Sequence, residues 1–166
     1  MNGRLLAWLI IGSAILGGAG LYYQQIFAYY EQLDADQVDV RISRGAFSGS
    51  IEARNLMAIN ADSSPIRFRA CFDVSGSVTV GAERYPDAEP RNAPFWFACF
   101  KAGQIGSDLE TGAARAFLGE ENIVYGIDRV LAIYPDGRGY AWHQINDCGE
   151  QVFAGRPAPA GCPARN

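Results

Sequence analysis

The stretch that decides the fold is IVYGIDRVLAIYPDGRGYAWHQI, residues 123–145. Its first half, residues 123–133, is nearly all apolar, and such a run predicts a strand that is covered on both faces. A proline–aspartate–glycine turn follows at 135–137, since proline presets the backbone for a turn and glycine completes the reversal. Residues 139–145 then return as the partner strand. The stretch therefore predicts a β-hairpin whose first strand lies inside a sheet.

Upstream segments supply the rest of an antiparallel sheet. Residues 38–42 alternate apolar and polar side chains, residues 51–59 form a weaker strand, and residues 68–74 alternate again. The last alternation puts Cys71 with the charged side chains, on the face opposite the apolar one. Residues 102–118 carry helical periodicity that is broken near a glycine. The domain is therefore predicted to be α+β, with one or two short helices.

A compact apolar run, APFWFACF at residues 93–100, overlaps the end of a loop predicted over residues 75–94. Aromatic side chains at this density lie either in a core or at an interface, and a core is the preferred interpretation. Aromatic residues are frequent anchors of protein interfaces, so Trp96 and Tyr140 are the candidates for a contact with a partner.

The N-terminal segment predicts a membrane anchor. Residues 5–23, LLAWLIIGSAILGGAGLYY, contain no charged side chain. At a rise of about 1.5 Å per residue they span most of a hydrocarbon core of roughly 30 Å, so we predict a transmembrane helix. The alternative is a cleaved signal peptide, because Gly17 and Ala19 are small enough to permit cleavage after Ala19. Aromatic residues lie where the helix would leave the membrane, as in an interfacial belt: Tyr22, Tyr23, Phe27, Tyr29 and Tyr30.

Charges on the two sides of this helix set its predicted orientation. Arg4 precedes the helix, whereas the next cation is Arg41 and the chain between them is acidic, so the positive-inside rule keeps the N-terminus in the cytoplasm. Residues 1–23 are then the cytoplasmic start and the transmembrane helix. Residues 24–37, which lack Gly and Pro, are predicted as a helical juxtamembrane stalk, and residues 38–166 as the domain on the outer side.

Small residues on the helix indicate a packing partner in the membrane. Ser13 and Gly17 are four residues apart, as are Ala14 and Gly18, and this spacing lets another helix approach closely. The alternative is compositional, because glycine is common in membrane helices.

All four cysteines lie beyond the helix, and none has the C-x-x-C or zinc-finger spacing. On the outer side of a membrane, two disulfides are expected. Four cysteines allow three connectivities, and we prefer the local one because it needs no long-range crossing. It pairs Cys71 with Cys99 and Cys148 with Cys162, and the second bridge would staple the proline-rich tail after the hairpin.

No motif for catalysis or for metal binding is assembled in the sequence. His143 is the only histidine, which excludes two-histidine metal sites by count and favours a hydrogen-bonded structural role. A triad of His143 with one of the acidic residues around the hairpin (Asp128, Asp136 or Asp147) and a serine such as Ser43 or Ser107 is an alternative that geometry has to decide. The net charge of -4 leaves no basic footprint for nucleic acid. We therefore predict no enzyme activity, no cofactor and no small-molecule substrate.

Most of the domain resembles an uncharacterised family of small single-span bacterial membrane proteins with a periplasmic, cysteine-containing domain. The similarity rests on four phrases: SPIRFRACF at 64–72, PFWFACF at 94–100, ARAFLGEENIVYGIDRV at 114–130 and YPDGRGYAWHQINDCG at 134–149. It implies an anchor-plus-domain architecture. Because the family brings no established activity, no functional residue is carried over from it.

From these features we predict a non-catalytic accessory or assembly subunit. It is expected in a bacterial inner membrane, with its domain in the periplasm. Its predicted partners are the lipid bilayer and a larger integral membrane protein complex such as a respiratory one. The alternative is a periplasmic copper- or thiol-handling assembly factor for a respiratory oxidase. The ACF phrases at Cys71 and Cys99 superficially resemble the Cys-Phe-Cys motif of anchored copper chaperones of cytochrome oxidase assembly. In this chain a Cu(I) site would need both thiols reduced and brought together from two elements.

Overall fold

The N-terminal helix α1 extends from Gly3 to Tyr23 and continues into a π-helical turn at Gln24–Ala28. The computed structural model describes residues 3–165, so Met1 and Asn2 of the predicted cytoplasmic start lie outside the described residues. The continuous helix Gly3–Ala28 has a mean hydropathy of 1.8, and its apolar window is not buried against the domain. By length and composition it is able to cross a membrane, as the sequence predicts.

The predicted helical stalk over residues 24–37 is wrong beyond Ala28. Glu31–Leu33 is strand β1, and Ala35–Gln37 is a single 3-10 turn closed by an N-terminal capping box. The helical propensity of such a segment is a weak preference, and here the backbone is instead satisfied by pairing with a neighbouring strand. Only two residues separate the end of the helix from the start of the sheet.

The domain is built on one six-stranded antiparallel sheet. Its order is β1–β4–β5–β8–β7–β6. The five strands besides β1 are β4 Arg54–Asn60, β5 Arg69–Asp73, β6 Arg115–Val124, β7 Ile127–Ile133 and β8 Arg138–Ile145. A separate hairpin pairs β2, Arg41–Arg44, with β3, Phe47–Ser50. The predicted α+β class with an antiparallel sheet is confirmed.

The hairpin predicted over residues 123–145 is present as β7 and β8, but its first strand is shorter than expected. The apolar run breaks at Gly126, whose φ of +76° suits a glycine turn and reverses the chain from β6 into β7. In β8, Gly139 lies opposite Phe72, and a Cβ at Gly139 would come within 2.2 Å of the Phe72 ring. The glycine therefore leaves room for that ring between the two central strands.

The helical prediction over residues 102–118 holds only for its first half. Helix α2 covers Ala102–Glu110, and Gly112 then adopts a φ of +76°, the left-handed conformation that commonly ends helices. After it the chain enters β6, where Phe117 pairs with Leu131 of β7. Sheet pairing overrides the helical period of the residues after Gly112.

Both faces of the sheet are covered, which gives three layers. The β2–β3 hairpin packs on one face over Phe72, Phe117 and Leu131. Helix α2 and residues 95–100 cover the other face over Val130 and Trp142, which are fully buried. Cys71 lies on the face opposite Phe72, as the alternation predicts, but that face also forms a core, so Cys71 is only 6% exposed. A last helix, α3 at Asp147–Phe153, follows the sheet.

Candidate membrane-proximal docking site

The end of the apolar helix α1 is attached directly to the domain. The indole Nε1 of Trp96 donates a hydrogen bond of 2.8 Å to the carbonyl oxygen of Ile26. The last carbonyls of a helix lack partners within the helix, and the indole satisfies one of them. Edge-to-face pairs flank this bond, with ring centroids 5.8 Å apart for Phe27 and Phe95 and 6.0 Å apart for Tyr30 and Trp96. We call these five residues the joint.

Large aromatic side chains at the joint remain exposed. Phe95 is 69% exposed, and Tyr29 on the neighbouring turn is 44% exposed. They continue the apolar surface of α1, on which Tyr22 and Tyr23 are also exposed. Aromatic residues in this position are typical of the boundary between lipid and water.

A groove of about 520 Å³ opens beside the joint. One wall is formed by β1 and β4 and the other by residues 96–99. Met57 projects into it with 52% of its surface exposed, and Asp34 is the one charged residue among those that line it. The lining includes Leu33, Leu56, Met57, Trp96, Phe97 and Cys99. Apolar concave surfaces of this kind are typical binding sites.

The groove lies against an open edge of the sheet. Strand β1 pairs only with residues 58–60 of β4. Residues 54–57 of β4 therefore have no strand on their outer side within the described part of the chain. An unpaired strand edge presents backbone donors and acceptors to a partner.

The two disulfides pair as the spacing of the cysteines predicts. Cys71 of β5 is bonded to Cys99, and Cys148 of α3 is bonded to Cys162. The first bridge fixes one wall of the groove to the central sheet, because Cys99 lines the groove. The second fastens the C-terminal tail to α3, and no cysteine within residues 3–165 is free.

The proposed helix-packing residues lie on the exposed surface of α1. A Cβ built on Gly17 or Gly18 meets no atom within 4 Å. The Ser13 hydroxyl donates to the carbonyl of Ile10 at 2.9 Å, so its polar group is satisfied inside the helix. Together with Ala14 they form a face that a second helix is able to approach closely.

Of the two aromatic residues predicted for an interface, neither is freely exposed. Trp96 is half-buried in the joint, and Tyr140 is half-buried between the rings of Phe100 and Tyr134. Sequence reasoning missed Phe95, the neighbour of Trp96 that does face outward. The density of aromatic residues in PFWF marks the segment, but only the structure separates the exposed ring from the packed ones.

His143 is held by hydrogen bonds to two neighbouring residues, as expected for a structural histidine. Its Nδ1 lies 2.6 Å from the carbonyl oxygen of Pro65, and its Nε2 accepts a hydrogen bond of 3.1 Å from Arg129. The carbonyl can only accept, so the proton is on Nδ1. Burial lowers the pKa of His143 to about 3, although the Pro65 carbonyl opposes this shift; the charge of Arg129 lowers the pKa further. The ring also stacks on Phe68, and the imidazole is neutral at pH 7.

The structure does not assemble the alternative triad: both ring nitrogens of His143 are engaged by Pro65 and Arg129, and none of the three aspartates is hydrogen-bonded to the imidazole. Arg129 pairs with His143 across β7 and β8, whereas Asp128 pairs with Gln144. Neighbouring residues on a strand point to opposite faces, so the Asp128 carboxylate and the imidazole are separated by the sheet. Asp128 instead accepts hydrogen bonds from the Tyr85 hydroxyl, the Asn122 amide and Asn146 Nδ2, at 3.2, 2.9 and 2.7 Å.

Arg69 is a buried structural arginine that sequence reasoning missed. It is 3% exposed, and its guanidinium donates to the carbonyls of Ile66, Phe68, Arg91 and Asn92. Desolvation lowers the pKa of Arg69 to about 10, so it stays charged at neutral pH. Its charge holds the loop at residues 91–92 against the end of β5.

Within residues 3–165, no group of three or more His, Cys, Asp or Glu side chains is arranged to hold a metal ion. An acidic cleft of about 550 Å³ lies beside Asp128 and Tyr85. Burial and the nearby Asp128 carboxylate raise the pKa of Tyr85, which keeps its hydroxyl protonated as a donor. The hydrogen bonds of Asp128 are thus satisfied by neutral groups inside the protein.

A family model described as a family of unknown function, DUF6446, matches residues 29–163. No curated protein and no solved structure matches the chain. The matched residues begin directly after the π-helical turn and include the whole sheet, both disulfides and the groove.

Proposed function

The chain belongs to DUF6446, a family of unknown function, and we propose that it is a non-catalytic accessory or assembly subunit that docks on a larger membrane protein complex. The apolar helix and the two disulfides fit a membrane-anchored domain in an oxidising compartment. We place that domain in the bacterial periplasm and the N-terminus in the cytoplasm, because Arg4 lies in the first turn of the helix and acidic residues follow its other end.

The observation that carries this proposal is the joint. Only two residues separate the helix from the sheet, and Trp96 is hydrogen-bonded to Ile26, so the domain is held at the membrane surface. Two residues span at most about 7 Å. The groove and the exposed Phe95 therefore lie at the height of the parts of a membrane protein that emerge from the bilayer.

The groove supplies the chemistry of recognition. Its lining is apolar apart from Asp34 and a few amide and backbone groups, and the free edge of β4 runs beside it. Because β4 is bulged between Arg54 and Met57, an extended segment of the partner would follow the edge beside Leu56 and Met57 and place apolar side chains in the groove. The face of α1 with Ser13, Ala14, Gly17 and Gly18 would contact a transmembrane helix of the same complex.

The structure offers no specific support for the copper- or thiol-handling alternative. Cys71 and Cys99 are bonded to each other, and the Cys71 side chain is 6% exposed. A soft metal site would need this bridge reduced and a core residue uncovered.

Site-specific photocrosslinking in native membranes tests the docking proposal. A benzophenone amino acid replaces Met57 in the groove or, as the control, Val80, which is 74% exposed in the loop that Arg44 contacts. We expect Met57, and not Val80, to crosslink to an integral membrane protein. The same protein should co-purify with the full-length chain in gentle detergent, and the substitution Met57→Arg should reduce its recovery at least tenfold. Equal crosslinking from both positions, or recovery unchanged by Met57→Arg, would contradict docking at the groove.

A further inference from the structure

Arg67 lies next to the joint and faces two tyrosines. Its guanidinium carbon is 5.4 Å from the ring centroid of Tyr30 and 6.0 Å from that of Tyr29. Both tyrosines follow the π-helical turn directly, and Arg67 ends the 3-10 turn Pro65–Arg67 just before β5. A cation is thus held against aromatic rings where the helix leaves the membrane.

Among residues 3–165, no acidic side chain forms an ion pair with Arg67. The ion pairs among residues 3–165 are Arg41–Asp39, Arg91–Glu89 and Arg138–Asp136, and none includes Arg67. Its Nη1 is shielded from solvent and has no hydrogen-bond partner among the described residues. A buried donor without an acceptor is costly, and a guanidinium donor is more costly than a neutral one. The tyrosine rings position the guanidinium, but they do not satisfy its donors.

Further positive charge lies on the same side of the joint. The Arg69 guanidinium is fully occupied by backbone carbonyls, and Arg91 is close enough for its charge to lower the pKa of Arg69. Arg91 itself is only loosely paired, at 3.9 Å from Glu89. Arg69 and Arg91 thus add positive charge near Tyr30, and the acidic residue that follows Tyr30, Glu31, carries the opposite charge.

The position of Arg67 along the membrane normal selects the kind of anion. Residues 5–23 account for about 28 Å of helix, which matches the hydrocarbon core, and Tyr29 and Tyr30 come about two turns later. That is the level of the lipid headgroups, where aromatic belts lie.

We propose that Arg67, with Tyr29 and Tyr30, binds the phosphate of an anionic phospholipid headgroup on the domain side of the membrane. A guanidinium N–H forms a charge-assisted hydrogen bond with a phosphate oxygen, and the phenol hydroxyls are further donors. None of these three residues lines the groove, so a negative result for lipid binding would not contradict docking at the groove. The bound lipid would fix the height and tilt of the domain against the bilayer.

Native mass spectrometry of the full-length chain in mixed micelles tests this site, with phosphatidylglycerol and phosphatidylcholine as the probes. We expect the wild-type chain to retain phosphatidylglycerol in preference, and Arg67→Gln to weaken its apparent affinity about tenfold, the loss of one charged hydrogen bond. Arg138→Gln is the matched control: it removes an arginine stacked on Tyr134, at the far end of β8 from the joint, and should leave the affinity unchanged. Arg67→Lys, which keeps the charge but not the guanidinium group, should lie between the two.

Two results would overturn the proposal. If Arg67→Gln and Arg138→Gln weakened the affinity for phosphatidylglycerol equally, the binding would depend on net charge and not on this site. Binding of inorganic phosphate that depends on Arg67, without a preference for phosphatidylglycerol over phosphatidylcholine, would assign the site to a soluble anion instead of a lipid. Near-UV circular dichroism of each variant verifies that the domain remains folded.

Discussion

The indole of Trp96 and the carbonyl of Ile26 are joined by a 2.8 Å hydrogen bond across 70 residues of chain. The bond connects the end of an apolar helix to a segment that a disulfide fixes on the central sheet. The helix and the domain are therefore coupled through packed groups, and the groove keeps a defined position relative to the helix.

Replacing Trp96 with Phe should loosen this coupling without emptying the joint. The variant keeps an aromatic ring but leaves the Ile26 carbonyl without its donor, which costs about 1–2 kcal/mol of local stability. We expect amide hydrogen exchange in residues 24–33 to become roughly tenfold faster in the full-length protein. Trp8→Phe, on a side chain 72% exposed in α1, is the control and should not change the exchange. Equal exchange in the two variants would mean that the hydrogen bond does not secure the joint.

His143 should make stability fall as the medium becomes acidic. Its pKa in the folded protein is about 3, below the ordinary 6.5, so between these values the unfolded chain binds more protons than the folded one. The contribution of His143 to the free energy of unfolding is therefore complete above pH 6.5 and is lost as the pH falls toward 3. Between pH 7 and pH 5, the titration of this residue should lower the free energy of unfolding by about 2 kcal/mol.

The measurement is thermal unfolding followed by tryptophan fluorescence at pH 7 and pH 5. His143→Gln keeps polar groups at the site but does not titrate. We expect it to be less stable than wild type at pH 7 and to lose less stability between the two pH values. A pH dependence identical to that of the wild type would show that His143 does not titrate on unfolding.

Local patterns predict the centre of this fold. The hairpin of β7 and β8 follows from an apolar run, a Pro-Asp-Gly turn and an alternating return strand, all within residues 123–145. Patterns of that kind fail where long-range pairing decides the outcome. The sequence predicts a helix at Glu31–Leu33 and at Phe117. In the structure, Glu31–Leu33 pairs with β4 and Phe117 pairs with β7, so both are in strands.

The site was less accessible to sequence reasoning than the fold. Cysteine spacing identified both disulfides, because local pairing needs little knowledge of the topology. The joint depends on residues 70 positions apart, and no period within the chain connects Trp96 to Ile26. Alternation gives Arg67 and Arg69 the same polar character, yet a loop buries Arg69 and the helix exit occupies the space beside Arg67.

The two disulfides should differ in what their removal does. Replacing Cys71 and Cys99 with Ser should lower stability by about 3–4 kcal/mol and release one wall of the groove, so crosslinking from Met57 should also fall. Replacing Cys148 and Cys162 with Ser should cost about 3 kcal/mol at most and leave the crosslink intact, because that bridge holds only the tail to α3. Thermal unfolding and crosslink yield, measured on both double variants, separate the two roles. Loss of the crosslink in both would contradict a specific role for the first bridge.

The small-residue face of α1 should carry the contact within the membrane. Gly17→Ile adds a branched side chain where a built Cβ meets only open space, so the helix itself tolerates it, but a partner backbone packed there does not. We expect recovery of the partner complex in gentle detergent to fall at least fivefold. Ala19→Ile is the matched control, because residue 19 lies about 200° around the helix from residue 17. This substitution adds similar bulk on the opposite side of the helix. Recovery unaffected by Gly17→Ile would remove the helix face from the docking proposal and leave the groove as the only contact it invokes.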